Sequence, residues 1–186
     1  MDRIKKQIAE ITLSLDGSSA VYERSDCEIR KLEGLGDSSG LLAGSESGHG
    51  QLTIVENSLK FSASVTEGQK TGFFTDQRFN RMTVSGFIAP GMEVLDCFSY
   101  TGAFAVYAAR AGAAKVTLVD DSAPVLETAK GNFELNGLAL LGTEFIKGDA
   151  FKVLREFRDR ARQFDFIILD PDRKSTRLNS SHGYIS

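Results

Sequence analysis

The sequence predicts an α/β protein built on an open, parallel sheet, on three observations. From residue 93 onward, short apolar runs alternate with segments of helical period. Several of those runs end in an acid: VLDCFSYTGAF at 94–104, VTLVDD at 116–121, FDFIILDP at 164–171, with FIKGDAF at 145–151 between the last two. The first of them is a strand, a tight loop with one glycine and an alanine-rich helix, which is where an open α/β sheet holds a nucleotide-like ligand.

The elements follow in order. Residues 3–14 carry a weak helical pattern with Ile4, Ile8 and Ile11 on one side. Residues 20–24 and 28–32 read as short strands, and 34–50, rich in glycine and serine, as a loop or hairpin tip. Residues 51–55 and 59–65 alternate as a hairpin around Asn57-Ser58. Residues 1–66 therefore form a small, incomplete α+β element, and 67–171 a second domain. A helix is expected at 75–85. Strand 93–97 precedes helix 101–112, strand 115–120 precedes helix 122–136, and strand 143–147 precedes helix 150–161. A last strand covers 164–169. It is almost wholly apolar, as for a strand buried on both faces.

Composition narrows the class. The 186 residues are 41% hydrophobic and 25% charged, ordinary for a globular protein. No apolar run approaches a membrane span, and the charged start, MDRIKKQIAEITLSL, has no signal-peptide core. Cys27 and Cys97 follow no metal spacing, which points to a reducing cytoplasm, and neither His49 nor His182 has a metal or triad partner in view. The net charge of −3 excludes a generally basic nucleic-acid binder; contact with RNA needs a local patch or another module.

The loop after strand 93–97 lacks the G-x-G-x-x-G of dinucleotide folds. Cys97, Phe98, Ser99, Tyr100 and Thr101 precede its single glycine, Gly102. That argues against a phosphate cradle. S-adenosylmethionine, which has no phosphate, fits better: Asp96 suits an ammonium or a water network, Phe98 and Ser99 line the loop, and Gly102 lets the backbone approach. Asp120 ends its strand where an acid accepts ribose hydroxyls, with a helix cap as the plainer reading. Cys97 sits on the cofactor side of strand 93–97 and reads as a small buried thiol rather than a nucleophile.

Three stretches, YERSDCEIRKLEGL (22–35), GQKTGFFTDQRFNR (68–81) and LDCFSYTGAFAVYAARAGA (95–113), resemble class I S-adenosylmethionine-dependent methyltransferases. The likeness is nearest to the bacterial family that methylates cytosine in large-subunit ribosomal RNA, and it covers roughly residues 20–171. It implies a Rossmann-like class I methyltransferase sheet, cut off after its fourth strand and ordered 3-2-1-4, with strand four an uncovered edge and the isolated chain poorly soluble. It implies that 68–81, including Lys70, Thr71, Asp76 and Arg78, lines the cofactor pocket; a solvated helix face is the alternative. Thr75 departs from the aliphatic residue usual there. Asp149 would meet the adenine amino group and the Ala150 region a ring nitrogen, with a helix cap the competing reading. Asp170 and Pro171 would face the methyl group and target base, against a plain strand-ending turn. The attacking cysteine of the family follows that turn, so this chain is expected to lack it and turnover. A related guanine methyltransferase shares the FSYTG-like loop; a nicotinamide oxidoreductase and a non-catalytic nucleotide-binding module remain outside the class.

Residues 172–182, DRKSTRLNSSH, allow a reverse translation that resembles a widely used sequencing-library adapter read in frame. A polar, basic extension is the plainer reading. On the adapter reading the natural chain is interrupted at Asp170-Pro171, and the remainder carries a charge of about −5.

Overall fold

The computed structural model describes residues 4–16, 18–25, 30, 32–36, 38–45, 50–64 and 72–171. Cys27, Lys70, Thr71, both histidines and the expected tail at 172–186 lie outside the described residues. Contacts divide the chain into two units, Met1–Thr53 with Ala63–Phe74, and Ile54–Ser62 with Thr75–Ser186.

In the first unit, α1 (Lys5–Asp16) accompanies an antiparallel pair, β1 (Ala20–Ser25) and β2 (Ser38–Gly44), with an irregularity between Val21 and Tyr22. The strand β2 lies inside the stretch expected to be a loop. Its glycines and serines mask it in sequence, and pairing with β1, where Leu41 meets Tyr22 and Ala43 meets Val21, makes it a strand. Arg30 and Leu32 are helical where a strand was expected. Ile4, Ile8 and Ile11 share a side, yet that side is exposed, and the buried residue of the helix is Ala9. The reason is the pull on the opposite face. Lys5 Nζ donates to Glu23 Oε2 at 2.7 Å and to Ser38 Oγ at 3.1 Å. Ala9, one turn on, goes inward with it. The Lys5 ammonium also holds the Glu23 carboxyl below its ordinary value.

A hairpin follows, β3 (Gln51–Glu56) and β4 (Leu59–Ser64). Asn57 and Ser58 both take left-handed backbone, φ 49° and 66°, the conformation that two-residue hairpins demand.

In the second unit, a short 3-10 turn (Thr75–Gln77) enters α2 (Arg78–Ser85). Then come β5 (Glu93–Cys97), α3 (Ala103–Arg110), β6 (Lys115–Asp120), α4 (Ala123–Leu135), β7 (Thr143–Lys147), α5 (Ala150–Asp159) and β8 (Phe166–Leu169). The four strands are parallel and ordered β7-β6-β5-β8, the order expected. Alternation along β5 feeds two cores. Leu95 and Cys97 pack with Val119, Val153 and Phe157 under α5. Val94 packs with Ile88, Ala108 and Ile168 on the α3 side.

Strand β8 corrects one expectation. Its apolar run is not buried on both faces: Ile167 is 48% and Leu169 59% exposed. They pair in register with Leu95 and Cys97, so they lie on the α5 face, and α5 does not reach that far across the sheet. Residues 164–165 are not strand. Phe164 packs against Phe157 with ring centres 5.4 Å apart, and Asp165 Oδ2 accepts the Glu93 N–H at 2.8 Å.

Candidate functional site

The C-terminal ends of β5, β6 and β8 converge. Parallel strands direct these ends to one edge of the sheet, and each carries an acid there: Asp96 one residue before the end of β5, Asp120 closing β6, and Asp170 just past β8. Asp96 is 2% exposed. Burial pushes its carboxyl up to about 8, the backbone N–H of Ala105 in α3 opposes that, and the negative charges of Asp170 and Asp120 add to it. The Asp120 carboxyl is raised too, first by burial, against N–H groups that favour its charged form.

The loop that joins β5 to α3 is held in an unusual backbone. Phe98, Tyr100 and Gly102 alternate in the left-handed region at φ 59°, 48° and 72°. Three of its N–H groups are committed internally. The Ser99 N–H donates to Val119 O at 3.1 Å, the Tyr100 N–H to Asp120 Oδ2 at 2.9 Å, and the Gly102 N–H to Ser99 O at 2.8 Å. Asp120 Oδ1 meanwhile accepts the Ser122 N–H at 3.0 Å. Asp120 thus braces the loop and the turn after β6; Ser122, not Asp120, sits at the N-cap position of α4. Each oxygen keeps acceptor capacity for a further donor.

Two buried polar atoms of this loop region have no hydrogen-bond partner among the described residues: Asp96 Oδ2 and Ser99 Oγ. Groups so placed need a partner from elsewhere. A carboxylate oxygen and a hydroxyl suit a ligand that brings a cation and polar hydrogens. The three acids and the committed loop amides are the wrong lining for a pyrophosphate. The residues therefore fit S-adenosylmethionine, which carries an ammonium and a ribose diol and no phosphate.

The other expected residues distribute as follows. Phe98 sets its ring edge-on to Phe151 at 5.7 Å and packs on the α5-side core. Gly102 is needed for packing as well as for its φ: a Cβ there would lie 2.9 Å from both Leu118 and Ala129, so the close approach is to β6 and α4. Asp149 caps α5, its Oδ1 accepting the Lys152 N–H at 2.9 Å, and Ala150 behind it is buried. Asp76 is exposed on the 3-10 turn. Arg78 Nη2 donates to Asn57 Oδ1 at 3.0 Å, at the hairpin turn. Asp170 is exposed and Pro171 half-buried beyond β8. Lys70 and Thr71 lie outside the described residues. Cys97 is fully buried, and its thiol is pushed up to about 12 by burial and by Asp96, which makes it inert as a nucleophile.

Two groups hold contacts that the sequence did not show. Arg81, read with its neighbours as pocket lining, is 2% exposed and makes a bidentate pair with buried Glu56, both contacts at 2.8 Å. Tyr107 Oη donates to the same Glu56 at 3.0 Å. Asn132, in α4, is fully buried and donates from Nδ2 to Thr101 O at 2.8 Å. The spacing of Asn132 and Asn136, four apart and on the same side of the helix as Ala129 and Phe133, was the available signal.

Residues 37–180 match the model of a family described as S-adenosylmethionine-dependent methyltransferase. The matched interval runs past Pro171 into the segment read as adapter. A ribosomal RNA large subunit methyltransferase I of Aeromonas salmonicida is 41% identical over 97% of this chain and 46% of its own length. The protein of the same name from Shewanella amazonensis is 45% identical over 89% of this chain and 42% of its own. The chain thus spans less than half the length of these curated relatives. Among solved structures, a protein of Streptococcus mutans described as a SAM-dependent methyltransferase superposes with a TM-score of 0.66, at 34% identity, over 72% of this chain and 35% of that one.

Proposed function

The chain belongs to the S-adenosylmethionine-dependent methyltransferases, and from that premise we propose that it forms the cofactor-binding part of an enzyme that methylates large-subunit ribosomal RNA. The observation that carries the reading is the pair of orphaned atoms, Asp96 Oδ2 and Ser99 Oγ, beside a loop whose N–H groups at 99, 100 and 102 are already bonded.

In this reading Asp96 and Ser99 hold the ammonium end of the cofactor, Asp120 takes the ribose hydroxyls with its free acceptor capacity, and Asp149 with the N-terminus of α5 flanks the adenine. Lys70, Thr71, Asp76 and Arg78 belong to the pocket on the strength of the resemblance alone. Asp170 and Pro171 face the base to be modified. The cofactor, when bound, supplies an electrophilic methyl group. The names of the relatives support ribosomal RNA as the acceptor, and the resemblance of the 68–81 and 95–113 motifs supports cytosine carbon 5.

The cofactor half of the reading is tested by thermal shift. S-adenosylhomocysteine should raise the unfolding midpoint while NAD leaves it unchanged, since only a ligand of the folded state stabilises it. Stabilisation by NAD alone would reject the reading in favour of an oxidoreductase. The acceptor is tested with a version carrying the full length of the relatives, by mass spectrometry of the methylated nucleosides in large-subunit RNA. A 5-methylcytosine is expected; a methylated guanine would move the assignment to the related guanine enzymes.

A further inference from the structure

We propose that Asn132 is a positioning residue for the cofactor loop, tying the Thr101 peptide to strand β4 through one side-chain amide. The proposal rests on the cofactor reading above for its binding arm only.

Asparagine in a helix interior is unfavourable, and a buried amide is tolerated only when its polar groups are partnered. Asn132 is fully buried, and both ends of its side chain are used at a distance from its own helix. Nδ2 donates to Thr101 O at 2.8 Å. Oδ1 accepts the Ser62 N–H at 2.7 Å. One turn on, Asn136 works differently. Its Oδ1 accepts the Lys60 N–H at 2.8 Å, and its Nδ2 donates to Lys60 O and Asn132 O, each at 2.7 Å. Lys60 and Ser62 are alternate residues of β4, whose N–H groups point to the same side. The two asparagines therefore satisfy the edge of that strand where another strand would pair. Only Asn132 also reaches the loop.

The point it reaches is the one that needs support. Thr101 stands between Tyr100 and Gly102, both left-handed, and Tyr100 carries the N–H that meets Asp120. Such backbone persists only where its surroundings over-determine it. Gly102 is pinned by Leu118 and Ala129, and Tyr100 by Asp120. The Thr101 carbonyl between them is fixed by Asn132. That carbonyl shares its peptide with the Gly102 N–H, so turning it would break the 2.8 Å contact with Ser99 O and, through Ser99, shift the adjoining Tyr100–Asp120 contact away from the positions the cofactor needs.

The test compares Asn132→Asp and Asn136→Ala in the 186-residue chain. S-adenosylhomocysteine affinity is measured by calorimetry from mildly acidic to mildly alkaline pH, each value taken relative to the unmodified chain. At alkaline pH the new carboxylate cannot donate to Thr101 O, and affinity should be at least about tenfold weaker. At acidic pH the carboxyl is protonated, donates its O–H to Thr101 O and still accepts from Ser62, and affinity should return to within about threefold. Asn136→Ala should lower the denaturation midpoint and leave affinity within about twofold. A ratio for Asn132→Asp that stays near one at every pH, or an equal loss in Asn136→Ala, would overturn the proposal. A ligand-free arm separates it from the cofactor reading: exchange of the Tyr100 amide hydrogen should accelerate in Asn132→Asp and not in Asn136→Ala, and equal rates would overturn it whether or not the ligand binds. Should Asn132→Asp fail to fold, the unmodified chain decides. Ligand binding should then slow exchange at Ser62 together with Tyr100, and slowing at Tyr100 alone would refute the link.

Discussion

At the scale of single residues, the site turns on Asp96. Its carboxyl titrates near 8 in the folded chain and near 4 when unfolded, so between those values the native state holds a proton that the unfolded state does not. Stability therefore falls as pH rises from about 4 to about 8, with a slope of up to about 1.4 kcal/mol per pH unit from this group. Urea unfolding of the ligand-free chain at several pH values should show this fall, and Asp96→Asn should flatten it. Capture of an ammonium by ionised Asp96 reverses the preference. Binding of S-adenosylhomocysteine should then strengthen toward pH 8 and release a proton, read by calorimetry in buffers of different ionisation enthalpy. Asp120→Ala removes the acceptor for the Tyr100 and Ser122 N–H groups. It should weaken cofactor binding by about tenfold or more, about 1.4 kcal/mol; unchanged affinity would reject its role. Gly102→Ala meets both a φ of 72° and two carbons at 2.9 Å, and should cost about 1–3 kcal/mol in unfolding free energy. The acids were legible in the sequence because each stands at or near the end of a short apolar run, although a helix cap or a strand-ending turn reads the same way. The partner of each was not, since Tyr100 and Asp120 meet only when two strands lie side by side.

At the scale of elements, the strands were the most legible. The spans 93–97, 115–120 and 143–147 emerge as expected: the first two are largely buried and carry short apolar stretches, while the half-buried β7 is marked by Phe145-Ile146 between Gly142 and Gly148. Helix ends differ by a residue or two, as end effects dictate. The strand β2 was hidden by its own composition, since pairing with β1 rather than side-chain pattern makes it a strand. The hairpin turn was legible from Asn57-Ser58, yet its anchorage was not. Glu56 and Asn57 at its tip gather Arg81, Tyr107 and Arg78 from α2 and α3 into one network. Arg81 is all but inaccessible, so removing its partner strands a buried charge. Glu56→Leu should lower stability by about 3–5 kcal/mol, seen in the denaturation midpoint, and the double change with Arg81→Met should recover much of the loss.

At the scale of the whole molecule, β8 is an edge strand of the sheet among the described residues, and Ile167 and Leu169 stand exposed on its α5 face. An exposed apolar edge invites pairing with other chains. The chain should show a low soluble fraction, and Ile167→Lys should raise it, measured by light scattering after expression; a monodisperse, cooperatively unfolding parent chain would refute this. The sequence by itself determined the alternation of strands and helices, the acids at strand ends and the absence of a glycine cradle, because each is written in neighbouring residues. Only the tertiary structure decided which face of α1 turns inward, that β8 lies half bare, and that Asn132 and Arg81 are buried anchors. Those outcomes depend on contacts between segments far apart in the chain, and a polar side chain reads alike in sequence whether its partner is water or a distant peptide.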